Sequence, residues 1–272
     1  MHVFDRDTIL QNQGDGEFRI TISDGWAINN AANGGYVMAL MAQSMAPTSA
    51  TDADWTNGES LNAAIVTANY MGRCLHRPAH IRVETMGESL HYIRKEARLI
   101  QDGKERIRAL GTFVKPSDAQ FNTVYEKEPE AVAPWEDCIR VPAIDGYSLF
   151  NQIDLRLDPV SAGWMQGDLS TVSVMKGWVE FKDERPIDLA AITLFADAFP
   201  PCVLASHGMV AWVPTIEYSV NVRALPTSFR LKGIFTTRFI SEGFVEEDGE
   251  LWDESGTLIA LSRQIAKFHP PK

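Results

Sequence analysis

Apolar and polar positions along the first half of this chain predict one helix followed by a long antiparallel sheet. A strand is predicted at residues 18–22, and an apolar run of helix-forming residues at 36–45 follows the pair Gly34-Gly35. Four longer runs with strand-like alternation come next, at 61–72, 79–86, 90–101 and 106–115. Asp102-Gly103 separates the last two runs, and this dipeptide favours a tight hairpin turn.

The second half repeats this order of elements. Strands are predicted at 148–157 and 173–181. A helix is predicted from Pro186 to about residue 199, with Pro at its first turn and Pro200-Pro201 as its stop. Four more strand-like runs follow, at 210–223, 229–239, 244–252 and 258–268.

Local similarities between the halves indicate a duplication. Segments 67–70 and 219–222 share a spacing pattern 152 residues apart, and segments 108–110 and 259–261 fall at an offset of 151. Between the halves, a stretch rich in Pro, Glu and Ala has little periodicity and is typical of a linker. We therefore expect an N-terminal repeat over 1–115, a linker over 116–146 and a C-terminal repeat over 147–272.

One helix followed by a long antiparallel sheet predicts an α+β fold in which each sheet wraps round its helix. The first helix is apolar almost all round, as a helix enclosed by a sheet must be. Its methionines, Met38, Met41 and Met45, are interpreted as core packing rather than as a cofactor site.

Composition narrows the class of protein. With 45% hydrophobic and 22% charged residues over 272 positions, the chain is typical of a soluble globular protein with a large core. The net charge of −11 disfavours nucleic acid and anionic membranes as partners, although a local basic patch would suffice for a small polyanion. Three well-separated cysteines, an acidic N-terminus and the lack of an apolar run of about 18–20 residues indicate a cytoplasmic protein without a membrane span.

Three polar residues interrupt apolar segments in the last third of the chain: Asp197, Thr215 and Gln264. Burying an unpaired polar group costs about 1–3 kcal/mol, so three such positions suggest a shared use. Gln264 belongs by alternation to the inward face of its strand. Asp197 would meet the unfavourable end of its own helix's dipole, so it is not a capping residue there. Thr215 groups with a solvent face, unless Pro214 marks a strand start or a bulge that turns it inward.

With these residues in view, the chain resembles the double hot-dog acyl-CoA thioesterases of the type II (TesB-like) family. The motifs that carry the resemblance are Gly25-Trp26-Ala27-Ile28, Asn33-Gly34-Gly35-Tyr36, Phe195-Ala196-Asp197 with Pro200-Pro201, Pro214-Thr215-Ile216-Glu217, Leu251-Trp252-Asp253-Glu254-Ser255-Gly256 and Ser262-Arg263-Gln264. The resemblance implies a double hot-dog fold and hydrolysis of acyl-CoA to free acid and CoA, without metal or cofactor. That family often has Asp at the position of Glu217.

In that family an Asp, a Thr and a Gln jointly orient the attacking water, and Asp197, Thr215 and Gln264 occupy the matching motif positions. The hypothesis is direct attack of water with Asp197 as base and no covalent acyl-enzyme. A glycine pair in front of a helix lets backbone N–H groups approach a carbonyl oxygen. The expected substrate-binding residues are therefore Asn33, Gly34 and Gly35.

The first repeat is expected to lack this set, so that one of two related sites keeps its polar groups. At an offset of 151–152, the counterparts are Met45 for Asp197, Ala63 or Ala64 for Thr215, and Thr112 or Phe113 for Gln264. A homodimer of double hot-dog chains is expected from the resemblance only.

Other functions are weighed against this one. A non-catalytic acyl-binding protein and a hydratase stay open on the same fold, although the Gly-Asp and Asn-Pro-x-His motifs of hydratases are missing. Gly-x-Ser-x-Gly, Gly-x-Gly-x-x-Gly and P-loop motifs are also missing. His76 and His80 have a metal-like spacing but no third ligand, and His207 is interpreted as a loop residue. Two basic clusters could hold the phosphates of CoA: Arg73, Arg77 and Arg82, or Arg94, Lys95 and Arg98.

Overall fold

The computed structural model describes residues 1–48, 64–115 and 123–268. The α-helices in these ranges are α1 Val3–Asp7, α2 Gly34–Met45, α3 Leu149–Gln152, α4 Pro159–Ala162, α5 Leu189–Phe195 and α6 Val203–His207. The strands are β1 Gln11–Gly14, β2 Glu17–Thr21, β3 Ala27–Ile28, β4 Ala31–Ala32, β5 Ala64–Tyr70, β6 Pro78–Glu88, β7 Tyr92–Gln101, β8 Lys104–Val114, β9 Ile139–Arg140, β10 Ile153–Leu157, β11 Ser173–Phe181, β12 Thr215–Val222, β13 Arg230–Thr237, β14 Ile240–Ser241, β15 Phe244–Trp252 and β16 Leu258–Lys267. Short 3₁₀ turns lie at Asp24–Trp26, Trp135–Asp137 and Gly163–Gln166.

One antiparallel sheet of 14 strands contains most of these strands, in the order β1-β2-β6-β7-β8-β5-β12-β16-β15-β13-β11-β10-β9, with β14 paired to β15. The two halves of the chain contribute matching series, β5-β8-β7-β6-β2 and β12-β16-β15-β13-β11, which run outward from a shared centre. At that centre Thr67 on β5 lies opposite Ser219 on β12, with the hydroxyl oxygens 2.8 Å apart. Thr67 and Ser219 are 152 residues apart, which is the offset between the two repeats. They therefore occupy equivalent positions in the two repeats. The predicted duplication is confirmed.

Helices α2 and α5 pack against each other in the core on one face of this sheet, as the predicted α+β fold requires. Met38, Met41 and Met45 on α2 have no exposed surface, which confirms their interpretation as core residues. Gly35 permits the close approach of the two helices. A Cβ atom there would lie 2.8 Å from the carbonyl oxygen of Leu194 on α5.

Local sequence signals explain where these elements begin. Asn33 caps α2 by accepting a hydrogen bond from the Tyr36 N–H at 2.9 Å, and Asp188 caps α5 by accepting one from the Ala191 N–H at 2.9 Å. Asp102 and Gly103 adopt positive φ angles of 52° and 71°, so the predicted hairpin between β7 and β8 is confirmed.

Three predicted elements differ from the structure by more than their end residues. The segment predicted as a strand at 148–157 begins as helix α3, because Leu149 and Phe150 are both buried and adjacent residues of a strand face opposite sides. The helix predicted from Pro186 to about residue 199 begins at Leu189, after its cap Asp188, and ends at Phe195, where the N–H of Asp197 bonds to the Leu194 carbonyl oxygen at 3.1 Å. The strand predicted at 210–223 begins only after Pro214, which has no N–H to donate to a neighbouring strand.

Residues 61–63 of one predicted strand and 116–122 of the predicted linker lie outside the described residues. The remainder of that linker includes β9, which pairs with β10 at the edge of the sheet. Trp135 in the same stretch lies between the guanidinium groups of Arg156 and Arg230, which are 4.0 Å and 3.7 Å from its ring centroid. The division into 1–115, 116–146 and 147–272 stays a prediction. Within the described ranges, no helix is long and apolar enough to span a membrane.

Candidate active site

A cavity of about 600 Å³ opens between the start of α2, the end of α5 and the strands β12, β15 and β16. Its wall is largely apolar, and among the described residues it includes three charged side chains: Arg73, Asp197 and Glu247. Thr215 and Gln264 also line this cavity. The three polar residues that interrupt apolar segments therefore reach one cavity.

Asp197 follows the end of α5, and its carboxylate is turned toward the start of α2. Its Oδ2 atom accepts hydrogen bonds from the Gly35 N–H at 2.7 Å and from Asn33 Nδ2 at 3.0 Å. The carboxylate thus lies at the positive end of the α2 dipole, where a negative charge is favoured. The dipole that acts favourably on Asp197 is therefore that of the other repeat's helix, and not that of the helix that precedes it in the chain.

Burial raises the pKa of Asp197 to about 7, and the charge of Glu247 acts in the same direction. Hydrogen bonds from Gly35 and Asn33, together with the nearby Gln264 amide, favour the ionised form and oppose this rise in the pKa. A carboxylate with such a pKa populates both protonation states near neutral pH. This is the property required of a general base that accepts a proton and returns it.

Gln264 connects this carboxylate to Thr215. Its Nε2 donates to Thr215 Oγ1, and its amide acts on the nearby Asp197 by favouring the ionised carboxylate. The β12–β16 ladder shifts register between Thr215 and Glu217, so that Thr215 faces the cavity whereas Glu217 is exposed. Pro214 therefore marks a strand start next to a bulge, which confirms the hypothesis that this geometry turns Thr215 inward. The prediction that Gln264 lies on the inward face of its strand is also confirmed.

The glycine pair lies directly against the carboxylate. A Cβ atom at Gly34 would stand 3.0 Å from Asp197 Oδ2 and 3.6 Å from the ring of Tyr70, whose hydroxyl donates to the Gly34 carbonyl at 2.9 Å. Any larger residue at position 34 would occupy the space beside the carboxylate. The Gly35 N–H is directed at Asp197, and binding of a substrate oxygen by this pair stays a prediction.

Glu247 is a cavity residue that the sequence argument missed. Its Oε2 accepts a hydrogen bond from the Cys202 N–H at 2.7 Å, and burial raises the pKa of its carboxyl group. On β15 it is the residue directly opposite Gln264. Alternation could have found it, because Val245 and Leu251 on the same face of that strand are buried.

The corresponding region of the first repeat is filled with apolar groups. Thr67 lies opposite Leu110 and Ser219 lies opposite Arg263, so the next residues along, Gly111 and Gln264, are structural counterparts. This gives an offset of 264 − 111 = 153 on the last strand, which corrects the prediction of Thr112 or Phe113. A Cβ at Gly111 would lie 2.7 Å from the Phe113 ring and 3.1 Å from Met45 Cε. Ala63, one predicted counterpart of Thr215, lies outside the described residues.

The histidines noted in the sequence do not add to the site. His76 Nδ1 lies 2.9 Å from the Ser23 carbonyl oxygen. His207 is the last residue of α6 and not a loop residue as predicted, and its Nδ1 pairs with the Ser206 hydroxyl at 2.7 Å. Over the described ranges, no group of three or more His, Cys, Asp and Glu side chains could hold a metal ion.

Comparison with known proteins gives a consistent result. The family model described as the acyl-CoA thioesterase C-terminal domain matches residues 129–267, half of the chain by itself. The model described as the acyl-CoA thioesterase N-terminal domain matches residues 22–114. No curated protein matches the sequence.

Solved structures share the fold over the full length of the chain. A candidate thioesterase II from Thermobifida fusca YX is 25% identical, with a TM-score of 0.85 over 99% of this chain and 98% of that one. A conserved hot-dog protein of unknown function from Alicyclobacillus acidocaldarius is 21% identical, with a TM-score of 0.85 over 100% of both chains. Acyl-CoA thioesterase II TesB2 from Mycobacterium marinum is 14% identical, with a TM-score of 0.73 over 99% of both chains.

Proposed function

The chain belongs to the acyl-CoA thioesterase family and has its double hot-dog fold, and from this premise we propose that it hydrolyses acyl-CoA by direct attack of a water held by Asp197, Thr215 and Gln264. The observation that carries the proposal is that Asp197, Gln264 and Thr215 line one cavity, with Gln264 hydrogen-bonded to Thr215. A carboxylate, an amide and a hydroxyl together can accept from and donate to a single water molecule.

In the proposed reaction the ionised Asp197 accepts a proton as the water oxygen bonds to the thioester carbonyl carbon. Because the pKa of Asp197 is raised to about 7, its carboxylate is a stronger base than an exposed one while still being ionised in part at neutral pH. Gln264 and Thr215 fix the orientation of the water, which converts a bimolecular encounter into a positioned attack.

Collapse of the tetrahedral intermediate breaks the carbon–sulfur bond and releases CoA as a thiolate. A free thiol has a pKa of about 8.5, so this leaving group needs no obligatory general acid. The negative charge that develops on the carbonyl oxygen requires a donor. The Gly34 N–H at the first turn of α2 is our candidate, because the Gly35 N–H already binds Asp197.

The largely apolar remainder of the cavity is the proposed site of the acyl chain. Its lining includes Phe199, Leu204 and Val213 from the second repeat, and Ile28, Val37 and Ile144 from earlier in the chain. A volume of about 600 Å³ falls within the range of about 300–1,000 Å³ that is usual for small-molecule sites.

Hydrolysis in oxygen-18 water during a single turnover tests the direct attack. We expect one solvent oxygen in the product acid and no acyl group on the protein. An acyl ester recovered on Thr215 after rapid quenching would contradict the mechanism.

A thiol-release assay over a panel of acyl-CoA substrates separates this function from acyl binding without catalysis. We expect release by the wild-type protein and a loss of about 10²-fold in Gln264→Ala, because a misplaced water lowers the rate by this order. Acyl-CoA binding without thiol release in the wild type would support the non-catalytic alternative instead.

A further inference from the structure

The rim of the cavity carries one positively charged side chain among the described residues, Arg73. It lies three residues after the end of β5, is exposed, and takes part in no ion pair within the described part of the chain. The other charged side chains on the cavity wall, Asp197 and Glu247, are acidic and partly buried. Arg73 therefore marks the side of the cavity at which an anion would be favoured.

A second arginine, Arg106, adjoins this position, and a third, Arg77, shares the counter-ion Asp102 with Arg106. Arg106 lies beneath the same turn, since a Cβ at Gly72 would stand 3.2 Å from its Nη1 atom. Its charge also acts on Cys74, a cavity residue whose thiol pKa is raised by burial to about 12 and lowered in part by this guanidinium. Arg77 is exposed and donates to Asp102 at 2.9 Å.

We call Arg73, Arg77 and Arg106 the arginine patch. Asp102 is its counter-ion, 2.9 Å from Arg77 and 3.8 Å from Arg106. Three guanidinium groups and one carboxylate leave a local charge of 3 − 1 = +2 on a chain whose net charge is −11. Such a local excess attracts a polyanion that the rest of the surface repels.

The second basic cluster considered from the sequence lies elsewhere. Arg94 and Arg98 on β7 alternate with the core residues Ile93, Ala97 and Leu99, so they project from the opposite face of the sheet to α2. Arg82, from the first cluster, is paired with Glu84 at 3.1 Å. None of these arginines lines the cavity.

We propose that the arginine patch binds the phosphate groups of CoA, with Arg73 making the central contact. This inference rests on the proposed function, which fixes the other end of the substrate at Asp197. The hydroxyl of Tyr70 donates a hydrogen bond to Gly34, which lies beside Asp197. Arg73 is three residues after Tyr70, and three residues span at most about 10 Å. The backbone of Arg73 is therefore only a short segment away from the proposed reacting group. The long pantetheine arm of CoA can connect a thioester at Asp197 to phosphates at this rim. A planar guanidinium group can donate two parallel hydrogen bonds to two oxygens of one phosphate.

Calorimetric binding of free CoA, 3′-dephospho-CoA and pantetheine to Arg73→Glu tests the patch without relying on hydrolysis. Arg94→Glu, an exposed arginine on the opposite face of the sheet, is the matched control. We expect CoA to bind Arg73→Glu at least about 10-fold more weakly than wild type, because hydrogen bonds to charged groups contribute that factor. Pantetheine affinity should stay unchanged, and Arg94→Glu should behave as wild type.

The three ligands also locate the phosphate. A loss seen with both CoA and dephospho-CoA would assign Arg73 to the pyrophosphate, and a loss confined to CoA would assign it to the 3′-phosphate; either result supports the patch. Equal CoA affinity in Arg73→Glu and wild type, an equal loss for pantetheine, or no CoA binding by the wild type would overturn it.

Steady-state kinetics separates this inference from the proposed function. In Arg73→Glu we expect the KM for acyl-CoA to rise about 10-fold with kcat within about twofold, and no change with the matching acyl-pantetheine. A protein that binds CoA through Arg73 but hydrolyses neither thioester would contradict the proposed function and leave the patch supported.

Discussion

The two repeats share their strand order and differ at the ends of their helices. Helix α2 has 12 residues and extends until Met45 fills the space over Gly111, whereas α5 has 7 residues and leaves a cavity over Gln264. In that cavity Asp197 turns back toward the first repeat and accepts hydrogen bonds from Gly35 and Asn33. The repeat that lacks the polar set therefore supplies the groups that hold the carboxylate.

The duplicated fold is kept in both repeats while the two related sites have diverged. The sheet depends on backbone pairing and on buried side chains, which both repeats retain. Whether a cavity is open depends on the volumes of a few side chains. In the first repeat, Met45 and Phe113 fill the space over Gly111 that corresponds to the cavity over Gln264. The following variants test how far the repeats differ, from the largest expected effect to the smallest.

Asp197→Asn should remove activity while the fold is kept. We expect kcat/KM to fall about 10³-fold, because the amide cannot accept a proton, whereas its oxygen can still accept the bonds from Gly35 and Asn33. The folded-state pKa of Asp197 is raised, so ionisation costs stability as the pH rises from about 4 toward about 7. Thermal unfolding should thus show the variant gaining stability relative to wild type over this range.

A useful control for Asp197→Asn is Ser44→Ala, which changes a buried polar residue of α2 in the first repeat. That control should retain wild-type kcat/KM. If Asp197→Asn kept wild-type activity, hydrolysis would not depend on the polar residues of the second repeat, and the proposed functional difference between the repeats would be wrong.

Gln264→Ala and Gly111→Ala change counterpart positions and should have opposite consequences. We expect the first to lower kcat about 10²-fold with little change in unfolding free energy, because Gln264 lies in an open cavity. The second should cost about 1–3 kcal/mol of unfolding free energy, because its Cβ would collide with Phe113, and should leave kcat nearly unchanged. Urea unfolding and thiol release measure both, and a kcat loss in Gly111→Ala would indicate a second functional site.

Glu247→Gln should shift the pH dependence of the reaction. The charge of Glu247 raises the pKa of Asp197, so its removal should move the acid limb of kcat/KM to lower pH. In this variant, the ratio of kcat/KM at pH 6 to kcat/KM at pH 8 should be about two- to fivefold higher than in wild type. Glu217→Gln, an exposed carboxylate outside the cavity, is the control and should keep the wild-type profile. A shift to higher pH in Glu247→Gln would contradict the electrostatic argument.

The smallest effect is expected at the centre of the sheet, where Thr67 and Ser219 are hydrogen-bonded partners in equivalent positions. Thr67→Val and Ser219→Ala should each destabilise slightly, and a double-mutant cycle should give a coupling of about 0.5–1.5 kcal/mol. Additive effects would show that this contact does not connect the repeats energetically.

Much of the fold and part of the site followed from local patterns. Strands β11 and β15 have the predicted bounds, because alternation and flanking turns mark them clearly. Where local signals compete, the prediction is wrong: the consecutive apolar residues Leu149 and Phe150 favour a strand by their type but form a helix. Asp197, Thr215 and Gln264 were found because each is a polar residue in an apolar segment, which is a local property.

The sequence by itself determined the order of the two central helices and the long strands, their duplication at a spacing of 152, and the residue types available for hydrolysis. Only the tertiary structure decided that Gly35 and Asp197, 162 residues apart, are hydrogen-bonded, that Glu247 shares their cavity, and that Arg73 lies at its rim. The physical reason is that periodicity encodes which face of an element is buried, whereas contacts between distant elements depend on the register of the whole sheet and on the lengths of the two helices.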